Sequence, residues 1–110
     1  MKKPITITEE EVDRLVKKIN YCSGQNLFKR SRKEEVIMAR VLFCKILRFD
    51  YNLSQRVISD IFRKRGVKYS LSSVRHSALK FGEYLQHNPT MQVICEEFYG
   101  KVFDRKEEVL

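Results

Sequence analysis

Residues 52–85 read NLSQRVISDIFRKRGVKYSLSSVRHSALKFGEYL and contain two amphipathic patterns separated by a basic turn. The first pattern begins at Ser54 and ends before Gly66, and the second begins in the serine-rich segment 70–73. Serine is a favourable helix N-cap, and glycine often follows the last turn of a helix. We therefore predict a short support helix, a turn and a second helix over about residues 54–86, which is the layout of a helix-turn-helix.

Apolar residues recur at spacings of three and four in both patterns, as on the buried face of a helix. The predicted core positions are Val57, Ile58, Ile61 and Phe62 in the first helix and Leu71, Val74, Ala78, Phe81 and Leu85 in the second. Leu71 has a second interpretation, because a leucine at the start of a DNA-reading helix can contact a thymine methyl group. Its helical spacing to the next apolar residues favours the core.

The opposite face of the second helix carries hydroxyl, guanidinium, imidazole and ammonium groups. Its members are Ser72, Ser73, Arg75, His76 and Lys80. Such groups hydrogen-bond base edges and phosphate oxygens, and the helix N-terminus adds backbone N–H donors. An ordinary solvated helix face has a similar composition, so this helix alone leaves both interpretations open.

Positive charge is concentrated in the same part of the chain. Residues 29–80 contain 14 of the 22 Lys and Arg residues but four of the 14 acidic residues, a net charge of +10, whereas the rest of the chain carries −2. A basic surface suits a polyanion, an acidic protein or anionic lipid, and its concentration around one helical motif favours duplex DNA. No apolar run is long enough to span a bilayer and no signal segment is recognisable, so we expect a cytoplasmic protein without a membrane partner.

Three segments occur in a fixed order. They are Ser-Arg-Lys at 31–33 followed by Arg40, Asn-Leu-Ser at 52–54 followed by Ile58 and Phe62, and Ser-Ser-Val-Arg-His at 72–76. This order and spacing resemble the C-terminal DNA-binding domain (domain IV) of the bacterial replication initiator DnaA. The resemblance covers about residues 12–85, and from 31 to 62 it has no gap. It implies an all-helical, Trp-repressor-like DNA-binding fold and a role in replication initiation or its regulation.

The resemblance also implies roles for single residues. Arg32 corresponds to an arginine that enters the minor groove, and Arg40 to a candidate phosphate contact. The serine pair 72–73 occupies the positions of two family threonines, His76 that of a family histidine, and Lys80 that of a lysine further along the helix. The polar face derived above adds Arg75. We therefore expect the pair 72–73, Arg75 and His76 to read bases, and Lys80 to bind a phosphate.

The chain departs from the family pattern at the start of the second helix. Ser70 and Leu71 replace an Asp-His pair that reads bases in the family, and the interval from Phe62 to Val74 is 12 positions instead of eight. The target sequence therefore stays open. The longer turn adds cations that we expect to follow the DNA backbone, unless the turn is simply a solvated loop. These cations are Arg63, Lys64, Arg65 and Lys68.

The remaining segments predict supporting helices. Capping-box patterns at 8–11 and 31–34 predict the starts of a first helix and of a long, apolar central helix. Asn88 and Pro89 predict the start of a last helix, whose apolar stripe runs to Val102. A charged tail from about 104 to 110 is expected to fray. The prediction is one compact all-α domain, 1–110, with about five helices and no strand.

The residue types present argue against catalysis and metal binding. Cys22, Cys44 and Cys95 are odd in number and widely spaced, as expected of reduced core thiols rather than of disulfides or a zinc site. The serine pair 72–73 and His76 have no acidic residue nearby in sequence, and no Gly-x-x-x-x-Gly-Lys loop is present. We expect no enzyme activity, no cofactor and no small-molecule substrate.

Two other modes of binding are alternatives to duplex binding. Tyrosines could stack single-stranded bases, but a chain without strands lacks the flat platform that sheet-based binders use. The candidates are Tyr51, Tyr69, Tyr84 and Tyr99. Alternatively, the domain is a protein-interaction module whose basic face binds a replication-initiation protein or another regulatory partner. We favour a bacterial, nucleoid-associated protein that binds double-stranded DNA.

Overall fold

The computed structural model describes residues 7–100, and all regular structure in this range is helical. Its five α-helices are α1 (Glu9–Ser23), α2 (Glu34–Lys45), α3 (Gln55–Lys64), α4 (Leu71–His87) and α5 (Pro89–Tyr99). A π-helical turn, Ile46–Asp50, extends α2. The predicted all-α class and number of helices are confirmed. Val102 and the charged tail of the sequence prediction lie outside the described residues.

Most helices begin where the sequence predicts. Thr8 and Glu11 form the reciprocal hydrogen bonds of a capping box before α1. Ser54, Ser70 and Asn88 cap α3, α4 and α5, and each side chain accepts a hydrogen bond from the backbone N–H three residues later. These starts could be predicted because each cap is a local interaction between a polar side chain and its own first turn.

The capping box predicted at Ser31 is wrong. The α2 helix begins at Glu34, and its N-cap, Lys33, makes no side-chain capping bond. The Glu34 carboxylate instead accepts hydrogen bonds from Asn88 Nδ2 at 2.6 Å and Thr90 Oγ1 at 3.4 Å. The Glu34 carboxylate therefore contacts the junction between α4 and α5.

The α2 helix is the central element, as predicted, and packs against α1, α4 and α5. Three phenylalanines, Phe28, Phe43 and Phe62, meet edge to face with ring centroids 5.5–5.8 Å apart. Tyr69, from the connection between α3 and α4, stacks on Phe62 at 4.4 Å. Aromatic packing thus joins the α1–α2 loop, α2, α3 and the α3–α4 connection.

Two residues predicted for the core are exposed instead. Val57 on α3 and Leu71 on α4 each keep 42% of their surface in solvent. The buried side of α3 carries Ile58 and Phe62, and the buried side of α4 carries Val74 and Ala78. In each helix, the apolar residues cover a wider arc of the helix surface than the part that packs against the core. Val57 and Leu71 lie at the edge of this arc and therefore stay exposed to solvent.

No helix within residues 7–100 has the length and hydropathy needed to cross a bilayer.

Candidate nucleic-acid interface

The α3 helix ends in a hydrogen-bonded glycine turn. The N–H of Val67 donates to the carbonyl of Phe62 and the N–H of Gly66 to that of Arg63, both at 3.0 Å. Gly66 has φ +87°, and this pair of bonds is the Schellman arrangement, which needs a left-handed residue after the helix. Val67 is buried, so the chain turns back onto the core directly after α3.

Tyr69 anchors the other end of the connection. Its hydroxyl lies 2.7 Å from Ser77 Oγ on α4, and its carbonyl accepts a 2.6 Å hydrogen bond from Ser59 on α3. Burial raises the pKa of the Tyr69 phenol, although the bond to Ser77 opposes the shift. The phenol therefore stays protonated at neutral pH. Side chains of both helices therefore hold the connection at Tyr69.

Arg65, one of the predicted phosphate ligands, faces α1. Its Nη2 lies 3.0 Å from Glu9 Oε1 and 2.9 Å from Asp13 Oδ1, and its guanidinium lies 5.8 Å from the centre of the Phe28 ring. The side chain is only 19% exposed. Arg65 therefore binds two carboxylates of this chain, which competes with any phosphate contact.

Arg40, the candidate phosphate contact that the resemblance implies, also faces inward. Its Nε donates to the carbonyl of Leu27 at 2.7 Å, and its Nη2 donates to the carbonyl of Lys29. The guanidinium also lies 5.9 Å from the centre of the Tyr69 ring. Arg40 thus fixes the loop between α1 and α2, which carries the exposed Arg32.

The other predicted phosphate ligands point outward. Lys64 and Lys68 are exposed, and Arg63 keeps 72% of its side chain in solvent while pairing with Asp60 at 2.7 Å. Lys80 is half-buried and pairs with Glu83 at 3.1 Å. Exposed ion pairs of this kind contribute little to stability. Arg63 and Lys80 can therefore exchange their carboxylate partners for a phosphate with little loss of folding free energy.

The predicted reading residues lie on α4. Ser72, Arg75 and His76 are exposed, whereas Ser73 is half-buried and accepts a 3.0 Å hydrogen bond from the hydroxyl of Ser70. The three exposed side chains occupy the first two turns of a helix that is 17 residues long. That is the position from which reading helices of helix-turn-helix proteins contact base edges.

Leu71 lines a cleft between α3 and the start of α4, with a volume of about 300 Å³. Three cations, Arg56, Arg63 and Lys68, line the same cleft, together with Asp60. The structure thus brings the basic turn and the start of α4 to one opening. Arg75 lines a different cleft, of about 310 Å³, on the side of the π-helical turn.

Sequence reasoning missed three contributors. Arg56 is absent from the predicted ligands because the prediction for α3 is a buried support helix, although the spacing of Arg56 to Asp60 and Arg63 marks an outward face. Ser59 and Ser77 hold Tyr69 through hydrogen bonds that span 10 and eight residues. Nothing in their local sequence signals these bonds.

The described residues contain no group of three potential metal ligands. Burial raises the pKa of Cys44 and of Cys95 to about 12, so both thiols stay protonated and unreactive at neutral pH.

No protein-family model, curated protein or solved structure matches the chain.

Proposed function

We propose that this protein binds double-stranded DNA with the start of α4 in the major groove. In this proposal it acts in replication initiation or its regulation, as its resemblance to the DnaA C-terminal domain implies. The observation that carries the proposal is the polar face of Ser72, Arg75 and His76, which is exposed beside an ordered basic turn. The proposed role is DNA binding without enzyme activity. It implies a nucleoid-associated protein of the cytoplasm.

The proposed contacts divide into base readers and backbone ligands. Arg75 presents the guanidinium that pairs bidentately with guanine, the commonest specific contact in the major groove. Arg63, Lys64 and Lys68 would bind phosphates along the flank, and Arg32 would enter the adjacent minor groove. We assign Arg40 and Arg65 to the internal structure instead, because their guanidinium groups already bind acceptors of this chain.

One observation favours a second candidate, the protein-interaction module. The cleft beside the π-helical turn is lined by Phe49 and Leu79, which are 52% and 62% exposed, and by Arg48 and Arg75. An apolar opening with two cations suits an acidic, apolar segment of a partner protein. This candidate leads if duplex DNA does not bind.

Fluorescence anisotropy of a labelled duplex of random sequence, measured over a range of salt concentrations, tests the proposal. We expect affinity to fall steeply with salt, and unlabelled duplex to compete better than the corresponding single strand. The double variant Arg63→Ala/Lys64→Ala should reduce the slope of log K against log salt by about two, because each lost phosphate contact removes about one counterion.

The matched control is Arg14→Ala/Lys17→Ala, which removes the same charge from exposed positions of α1. It should leave the slope nearly unchanged. Equal losses in the two double variants would show a diffuse attraction to any polyanion, and absence of binding at low salt would overturn the proposal. Stronger competition by the family's origin-box duplex than by random duplex would extend the resemblance to the target sequence.

A further inference from the structure

Leu71 is the first residue of α4 and is 42% exposed, between the exposed serines 70 and 72. Isolated exposed leucines are common on protein surfaces and need no explanation by themselves. The position of this leucine is unusual, because it lies at the end of the helix that presents the reading residues. It also lines the cleft that the basic turn borders.

The surroundings of Leu71 restrict what can cover it. Arg56, Arg63 and Lys68 line the same cleft, and its one carboxylate, that of Asp60, is already paired with Arg63 at 2.7 Å. A fitting partner therefore carries negative charge around a small apolar group. Duplex DNA meets this description, since phosphates border the major groove and the thymine C5-methyl is the apolar group on its base edges.

The register of α4 places a contact of Leu71 with a thymine methyl group beside the proposed base contact of Arg75. Leu71 and Arg75 are four residues apart, which brings them to the same side of the helix about 6 Å apart along its axis. Base pairs are stacked about 3.4 Å apart. The two side chains therefore reach base pairs that are neighbours or next neighbours.

We infer that Leu71 is a specificity-determining residue, which selects thymine within about two base pairs of the base that Arg75 contacts. The inference deepens the proposed function and rests on it. The contact depends on a single methyl group, so uracil in place of thymine removes it while leaving every hydrogen-bonding group of the base pair unchanged.

The experiment begins by selecting the preferred duplex from a random library with the full chain. Each thymine of that duplex is then replaced in turn by deoxyuridine, and affinity is measured by anisotropy. At one thymine, we expect the replacement to weaken binding of the protein to the duplex about fourfold. This is the size expected for the loss of one buried methyl group. The variant Leu71→Ala should bind the thymine and uracil duplexes equally at that position.

The control variant is Val93→Ala, which truncates an apolar side chain of α5 that is 62% exposed and should keep the fourfold preference. The inference is overturned if no uracil substitution weakens binding, if Leu71→Ala keeps the preference, or if selection yields no preferred sequence. Each of these outcomes leaves salt-dependent duplex binding in place. Failure of the proposed function differs from all of them, because the unmodified duplex would then not bind.

Discussion

Two groups of cations surround the connection between α3 and α4 and differ in what they bind. The inner clamp, Arg40 and Arg65, binds backbone carbonyls of the α1–α2 loop and carboxylates of α1. The outer cations extend into solvent, Arg63 and Lys64 from the last turn of α3 and Lys68 from the connection. A basic run in the sequence therefore does not distinguish charge used for folding from charge presented to a ligand. Whether a cation serves folding or faces a ligand depends on the hydrogen-bond acceptors that the fold places within its reach.

The largest contrast between the two groups is expected in stability. Arg40→Ala should lower the free energy of unfolding by about 2–3 kcal/mol, because the carbonyls of Leu27 and Lys29 lose a charged donor. Arg63→Ala should cost less than about 0.5 kcal/mol, since its pair with Asp60 is exposed. Urea unfolding followed by circular dichroism measures both. Similar losses in the two variants would remove the distinction between inner clamp and outer cations.

A smaller effect is expected at the glycine that directs the chain between the two groups. Gly66→Ala should lower stability by about 1–2 kcal/mol, because φ +87° is strained for any residue with a Cβ. Gly82 on α4 is the matched control, since it lies in a helix with open space around it. Gly82→Ala should raise stability by about 0.5–1 kcal/mol in the same unfolding experiment. Changes of the same sign would contradict the assigned turn geometry.

The parts of the fold that the sequence predicts correctly rest on local interactions. The caps at Thr8, Ser54 and Asn88 formed as expected, because each side chain bonds its own first turn. The box predicted at Ser31 does not form, and the Glu34 carboxylate instead binds residues more than 50 positions away. Long-range partners of this kind leave no trace in the local pattern.

The candidate site was predictable to a similar degree. The polar face of α4 follows from helical periodicity, and Arg75 and His76 lie on it as expected. The inward direction of Arg65 could not be predicted, because its partners Glu9 and Asp13 lie 56 and 52 residues away. The exposure of Leu71 was missed because periodicity gives the direction of an apolar face but not the width that is covered.

The smallest expected effects separate Arg65 from its neighbour Lys64. Arg65→Ala should lower the free energy of unfolding by about 0.5–1 kcal/mol, because exposed carboxylates on α1 lose their cation. That loss should shrink at high salt, which screens such pairs. Lys64→Ala should leave stability unchanged and instead reduce the salt slope of duplex binding by about one. Both variants are measured by unfolding and by anisotropy. We expect Arg65→Ala to change stability but not the salt slope, and Lys64→Ala to change the salt slope but not stability. If Arg65→Ala changed the salt slope as much as Lys64→Ala, then Arg65 would exchange its carboxylates for phosphates on binding, and the inner clamp would be part of the DNA interface.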